Sequence, residues 1–89
     1  MSLTNKLFWL PRFKRDYRKL SHQAKEKINN ALIRMEADLQ YPSLCVKKVK
    51  STPNVWEVRA SDSLRITFTL KGNEIYLRTV GEHDILKNP

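Results

Sequence analysis

The sequence predicts one α+β domain over residues 1–89: an N-terminal strand, then an antiparallel helical hairpin packed on a largely antiparallel, twisted sheet of about four to five strands. Three observations carry this. At 89 residues and 10.5 kDa the chain can bury one core, because two would each be too small to offset the entropy of ordering them. Apolar residues recur at helical spacing through the first half of the chain. From Val55 to Leu86 the period changes to two.

Lys6–Leu10 (KLFWL) is a short apolar run with two aromatics, closed by Pro11, and reads as a first strand feeding directly into a helix. Pro11 suits the first helical position, where its missing N–H would be unpaired in any case. Phe13, Tyr17 and Leu20 then fall on one helical face, with Arg12, Lys14, Arg15, Arg18 and Lys19 around the rest. These five bases are either a solvated face or an electrostatic landing strip. Ser21 is placed as the N-cap of a second helix. Its stripe is Ala24, Ile28, Ala31, Leu32, Met35 and Leu39, and Tyr41-Pro42 is expected to end it, since the residue before proline is pushed out of the helical region. His22, in its first turn, is expected to face solvent.

Cys45–Lys50 (CVKKVK) reads as a strand or strand edge, with Lys47, Lys48 and Lys50 as its positive cluster. Lysines there either guard an edge against aggregation or hold phosphate. Beyond a loop at residues 51–54, Trp56, Val58 and Ala60 alternate with Val55, Glu57 and Arg59. Leu64, Ile66, Phe68 and Leu70 alternate with Arg65, Thr67 and Thr69, and Ile75, Leu77 and Thr79 with Glu74, Tyr76 and Arg78. Ser61-Asp62-Ser63 and Lys71-Gly72-Asn73 supply the turns of an antiparallel meander. With each apolar set turned to a core, Glu57, Arg59, Arg65, Tyr76 and Arg78 emerge together on the opposite face, and that face is the candidate site.

Seventeen Lys and Arg against nine Asp and Glu give a formal charge of +8, a field that attracts polyanions or acidic proteins. The one cysteine, Cys45, has no internal partner, and its neighbours Leu44 and Val46 suggest a small buried hydrophobe in a cytoplasmic protein. No run approaches the ~20 apolar residues that span a bilayer, and the N-terminus does not read as a signal peptide. Met1–Leu3 carry no part of the reading.

Gly-rich phosphate loops, HExxH, paired cysteines and GxSxG are all missing from the sequence, which disfavours P-loop hydrolysis, zinc chemistry and serine hydrolysis, and no metal or small-molecule cofactor is expected. The candidate face, with His83 and Asp84 immediately after the last strand and its Gly81 turn, supplies a different set. Metal-free RNA cleavage needs a base for the 2′-hydroxyl, cations for the phosphorane charge and an acid for the leaving 5′-oxygen. Histidine serves either proton role, carboxylate can be the base, and arginine grips phosphate bidentately. Singly, each is ordinary: Glu57 near an arginine is also a cross-strand ion pair, and His83 is also a surface residue.

The succession W-E-V-R, a short turn, L-R-I-T-F, a Gly-Asn turn, an apolar strand and G-E-H-D-I-L resembles the RelE/ParE toxin superfamily of bacterial toxin–antitoxin modules, from Trp9 to Leu86. The resemblance implies the RelE-like fold and a cytoplasmic, metal-independent, ribosome-dependent mRNA endonuclease that inhibits translation and is silenced by a cognate acidic antitoxin. It places Arg65 at the scissile phosphate and His83 as proton donor or phosphate ligand. Arg59 and Glu57 fall on the matching catalytic strand, and Lys47, Lys48 and Lys50, with Arg78, on surfaces for RNA or ribosome contact. Where many active members carry an aromatic after the histidine, this chain has Asp84, Ile85 and Leu86. Asp84 either orients His83 or caps local backbone. A ParE-like, non-nucleolytic inhibitor of DNA gyrase and a degenerate toxin kept for antitoxin binding are the alternatives.

Overall fold

A computed structural model describes residues 4–89, so Met1–Leu3 lie outside the described residues. The chain runs β1 (Lys6–Trp9), α1 (Pro11–Arg18), α2 (His22–Ala37), a 3-10 turn at Pro42–Leu44, β2 (Lys47–Lys48), β3 (Trp56–Arg59), β4 (Leu64–Lys71), β5 (Glu74–Glu82) and a final 3-10 turn at His83–Lys87. The strands form one five-stranded sheet in the order β1-β5-β4-β3-β2. The pairs β2–β3, β3–β4 and β4–β5 are antiparallel, and β1 joins β5 in parallel. The α+β architecture read from the sequence is the architecture observed.

One face of the sheet is covered by the two helices. Val58, Ile66, Phe68, Ile75, Leu77 and Val80 from the strands meet Phe13 of α1 and Ile28, Ala31, Leu32 and Met35 of α2 in a single buried cluster. Pro11 occupies the first turn of α1 as expected. Tyr17 joins the helices, its hydroxyl donating to Asn29 Oδ1 at 2.7 Å beneath the Lys25 ammonium. Ser21 caps α2 by accepting from the Ala24 amide at 3.1 Å. Ser21→Ala therefore orphans one amide and is expected to cost about 1 kcal/mol, read as a fall of roughly 4–8 °C in Tm.

Five local expectations are corrected. The second helix stops at Ala37, short of Tyr41-Pro42, because Asp38 turns extended and its Oδ1 accepts the Gln40 amide at 2.9 Å, an Asx turn that competes with the helix. The strand foreseen over Cys45–Lys50 narrows to Lys47–Lys48. Cys45 is exposed, not buried, with φ of 47° at the end of the first 3-10 turn.

The fourth correction concerns parity. The register passes from Thr67↔Thr79 to Phe68↔Leu77, so Arg78 is an extra residue on β5 and the alternation beyond it is reversed. Thr79 leaves the apolar set for the far face, and Val80 takes the core position. The β5 strand also continues through Gly81 to Glu82 rather than turning there. At the other hairpin Gly72 adopts φ of 59° while Asn73 is not among the positive-φ residues, the pattern of a two-residue type II′ turn.

Candidate functional site

The far face of the sheet gathers the residues left over by the core. Pairing places Lys47 beside Glu57, Glu57 beside Thr67, Thr67 beside Thr79, and Arg59 beside Arg65. Two arginines directly opposite one another on neighbouring strands repel. The β3–β4 hairpin offsets this with oxygen. Arg65 Nη1 donates to the carbonyls of Ser61 at 2.7 Å, Asp62 at 3.2 Å and Leu64 at 3.1 Å, and its Nε lies 3.9 Å from Glu57 Oε1. The Arg65 and Glu57 side chains are only 16% and 10% exposed, so the guanidinium is held in one orientation. Its hydrogen bonds within the described residues all leave from Nη1.

Arg59 is the looser of the two. Its guanidinium bonds the carboxylate of Asp62, and that bond and charge raise its pKa further above the ordinary arginine value, with a smaller push in the same direction from the Cys45 thiol and desolvation opposing. The side chain keeps about half its exposure. His83 is also exposed, one residue past Glu82, which pairs with Leu64 at the same end of the sheet as Arg65. Among the described residues Asp84 makes no hydrogen bond or ion pair with it.

The middle of this face is covered by the chain's own last residues. Gly81 lies under the final turn: a Cβ there would stand 2.8 Å from Ile85 Cγ2, so only glycine admits this approach without a shift. Further along, the Pro89 main-chain oxygen accepts from Arg78 Nε at 3.0 Å and from Thr67 Oγ1 at 3.4 Å, while Arg78 Nη1 donates to Thr69 Oγ1 at 3.3 Å. Thr67 and Thr79, bonded through their hydroxyls at 2.5 Å, are buried beneath. The bulge at Arg78 thus leaves its side chain on the site face.

The predicted site residues divide. Glu57, Arg59 and Arg65 converge at the β3–β4 hairpin, with His83 at the same end. Arg78 lies further along the face, engaged by Pro89. The lysine cluster splits: Lys47 opposes Glu57 on the site face, Lys48 opposes Trp56 on the helix side, and Lys50 is exposed in the loop. A cleft of about 530 Å³ on the helix side is lined by Leu39, Tyr41, Cys45, Trp56, Phe68 and Leu70 among others, and by none of the predicted site residues. Among the described residues no three His, Cys, Asp or Glu side chains could hold a metal ion together. No helix among them is long and apolar enough to cross a membrane.

The sequence reading missed Phe8. It lies in an unbroken apolar run, Leu7-Phe8-Trp9, so its place on the site face and its neighbour there, Tyr76, follow only from the parallel pairing of β1 with β5. The two rings stack with centroids 5.1 Å apart and planes 17° from parallel.

Neither a family model nor a curated protein matches the sequence. Solved structures do match in shape. YafQ from Escherichia coli BL21(DE3) superposes with a TM-score of 0.76 at 11% identity, covering 92% of this chain and 97% of that one. RelE in the RelB-RelE antitoxin-toxin complex from Methanococcus jannaschii gives 0.72 at 17% identity, covering 91% and 95%. A YoeB dimer from Staphylococcus aureus gives 0.68 at 18% identity, covering 91% and 99%. The chain has the RelE-like toxin fold along nearly its whole length.

Proposed function

We propose that this protein is the toxin of a bacterial toxin–antitoxin module and that it cleaves mRNA on the ribosome without a metal, in the cytoplasm. The observation that carries the reading is the fixed Arg65 guanidinium, with Arg59 across the hairpin and an exposed His83 at the same end of a +8 chain. Two adjacent guanidiniums suit a phosphate passing through a pentacovalent state, whose added charge they meet without rearranging. In this reading the 2′-hydroxyl attacks the neighbouring phosphorus, Glu57 is the carboxylate that takes its proton, and His83 protonates the departing 5′-oxygen. The products are a 2′,3′-cyclic phosphate and a 5′-hydroxyl.

The named relatives support the module. M. jannaschii RelE was solved with RelB, and YafQ with DinJ in a toxin-antitoxin complex. By the same logic an acidic partner neutralises part of this chain's charge and covers the sheet face. Lys47 and the α1 bases are among the cations left for rRNA or mRNA phosphates.

The test is primer extension on a defined mRNA in a translating extract. Wild type is expected to cut within codons, and His83→Ala to cut about 10²–10⁴-fold more slowly while remaining folded. A wild type that leaves the message intact overturns the ribonuclease reading. The ParE-like alternative then gains from one observation, the cover that Pro89 places on Arg78, which leaves the face better suited to protein contact. Inhibition of gyrase supercoiling by the purified protein would establish it, and antitoxin binding without either effect would mark a degenerate toxin.

A further inference from the structure

Phe8 is one of three large hydrophobic side chains left exposed among the described residues, at 39%, and it stands on the same sheet face as Arg65. Tyr76 supports one side of its ring. The other side has no strand beside it, because β1 is the edge of the sheet. We propose that this aromatic pair is a stacking platform for one nucleobase of a single-stranded RNA whose phosphate backbone continues along the face to Arg65. The proposal rests on the ribonuclease reading and names a second subsite for its substrate.

Charge around the platform fits a polyanion. Lys6 and Lys71 both pair with Glu74, so these three side chains share the face with Phe8, and Arg78 lies two residues beyond Tyr76. Three cations thus stand against one carboxylate. That carboxylate is engaged, since Glu74 Oε1 accepts from the Tyr76 hydroxyl at 2.8 Å. The bond, then burial and the Glu74 charge, raise the Tyr76 pKa above the ordinary phenol value, so the ring stays neutral at working pH and does not repel phosphate.

Spacing fits as well. Tyr76 pairs with Thr69, four residues along β4 from Arg65, which is about 13 Å at the rise of a strand. Phe8 lies two strands across from β4, about 10 Å further sideways. A few nucleotides of extended single strand cover that diagonal. Midway lies Arg78, whose Nε donates to the main-chain oxygen of Pro89, so a phosphate reaches it only by taking the place of that acceptor. Aromatic stacking beside a basic track is the usual physics of single-strand binding, tolerant of base identity because every base has a π face.

The test uses the full chain and a 2′-O-methyl hexaribonucleotide, which lacks the attacking hydroxyl, with 2-aminopurine placed at each position in turn. Wild type is expected to quench the fluorescence at one position. Phe8→Ala is expected to abolish that quenching and weaken binding about tenfold, while Phe8→Tyr retains both. Circular dichroism checks that each variant is folded, as the exposure of Phe8 leads one to expect. A Phe8→Ala protein that binds and quenches like wild type overturns the platform. So does a wild type that cleaves mRNA in the translating extract but quenches at no position, an outcome that leaves the ribonuclease reading standing. A wild type that neither binds the oligonucleotide nor cleaves message removes both. Loss in Phe8→Ala of acidic-partner binding alone, with RNA binding unchanged, overturns the platform and identifies the pair as a protein contact.

Discussion

Replacing Arg65 by alanine is expected to slow message cleavage about 10²–10³-fold, the effect of removing one preorganised donor from a developing negative charge. It is also expected to destabilise the fold. Glu57 would be left mostly buried without its cation, and the carbonyls of Ser61, Asp62 and Leu64 would lose a shared donor. Breaking a fully buried pair costs roughly 3–5 kcal/mol; with 3.9 Å between the partners and some exposure on both, about 2–3 kcal/mol is expected here. The two effects separate by design. Arg65→Ala combined with Glu57→Gln removes the stranded charge, so urea unfolding should recover much of the lost stability, while cleavage falls further because the proton acceptor is gone as well. Arg65→Lys keeps the charge but not the planar fork, and should recover stability better than activity. Cleavage within about threefold of wild type by folded Arg65→Ala would remove this guanidinium from the reaction, since a donor meeting the phosphorane is worth far more than that.

The face that carries Arg65 was legible because its signal is local. A period of two, read on one strand, separates Glu57, Arg59 and Arg65 from Trp56, Val58 and Leu64 without knowledge of any neighbour. The Ser21 cap and the Pro11 start were legible for the same reason, each being chemistry within one helical turn. What failed were features set by distant pairing. Thr79 looked like part of the apolar set until the bulge at Arg78 reversed the parity of β5, and nothing in the residues themselves announces the extra position. Cys45 looked buried from its neighbours, but it ends the 3-10 turn with its own φ at 47° and is exposed. Phe8, inside an unbroken apolar run, had neither a face nor a partner until β1 was seen to join β5. The last turn over Gly81, which decides how much of the site is open, is a contact between a glycine and Ile85 that no periodicity encodes.

Phe13→Ala is expected to produce the largest loss of stability, about 3–5 kcal/mol out of the 5–15 typical of a domain this size. The reason lies in the composition of α1. The helix has eight residues and one buried side chain, Phe13, which is fully enclosed, with the Trp9 ring edge-on at 4.8 Å and Tyr17 at 6.5 Å. Eight residues cannot sustain a helix alone. Its bases also repel one another, relieved only in part by Asp16, which lies 3.9 Å from Arg12 and 3.6 Å from Arg15. Burial of one phenyl ring therefore holds the basic surface in place. It reaches the site too, because Arg12, Asp16 and Leu20 share a hollow with Val80, Glu82, Asp84 and Ile85, the segment that presents His83. Hydrogen exchange should show α1 amides losing protection first, followed by those of residues 83–87, with Phe13→Leu intermediate. If Phe13→Ala lowers Tm by less than about 4 °C and the α1 amides stay protected, Trp9 and Tyr17 anchor the helix instead, and the presentation of His83 does not depend on the core beneath it.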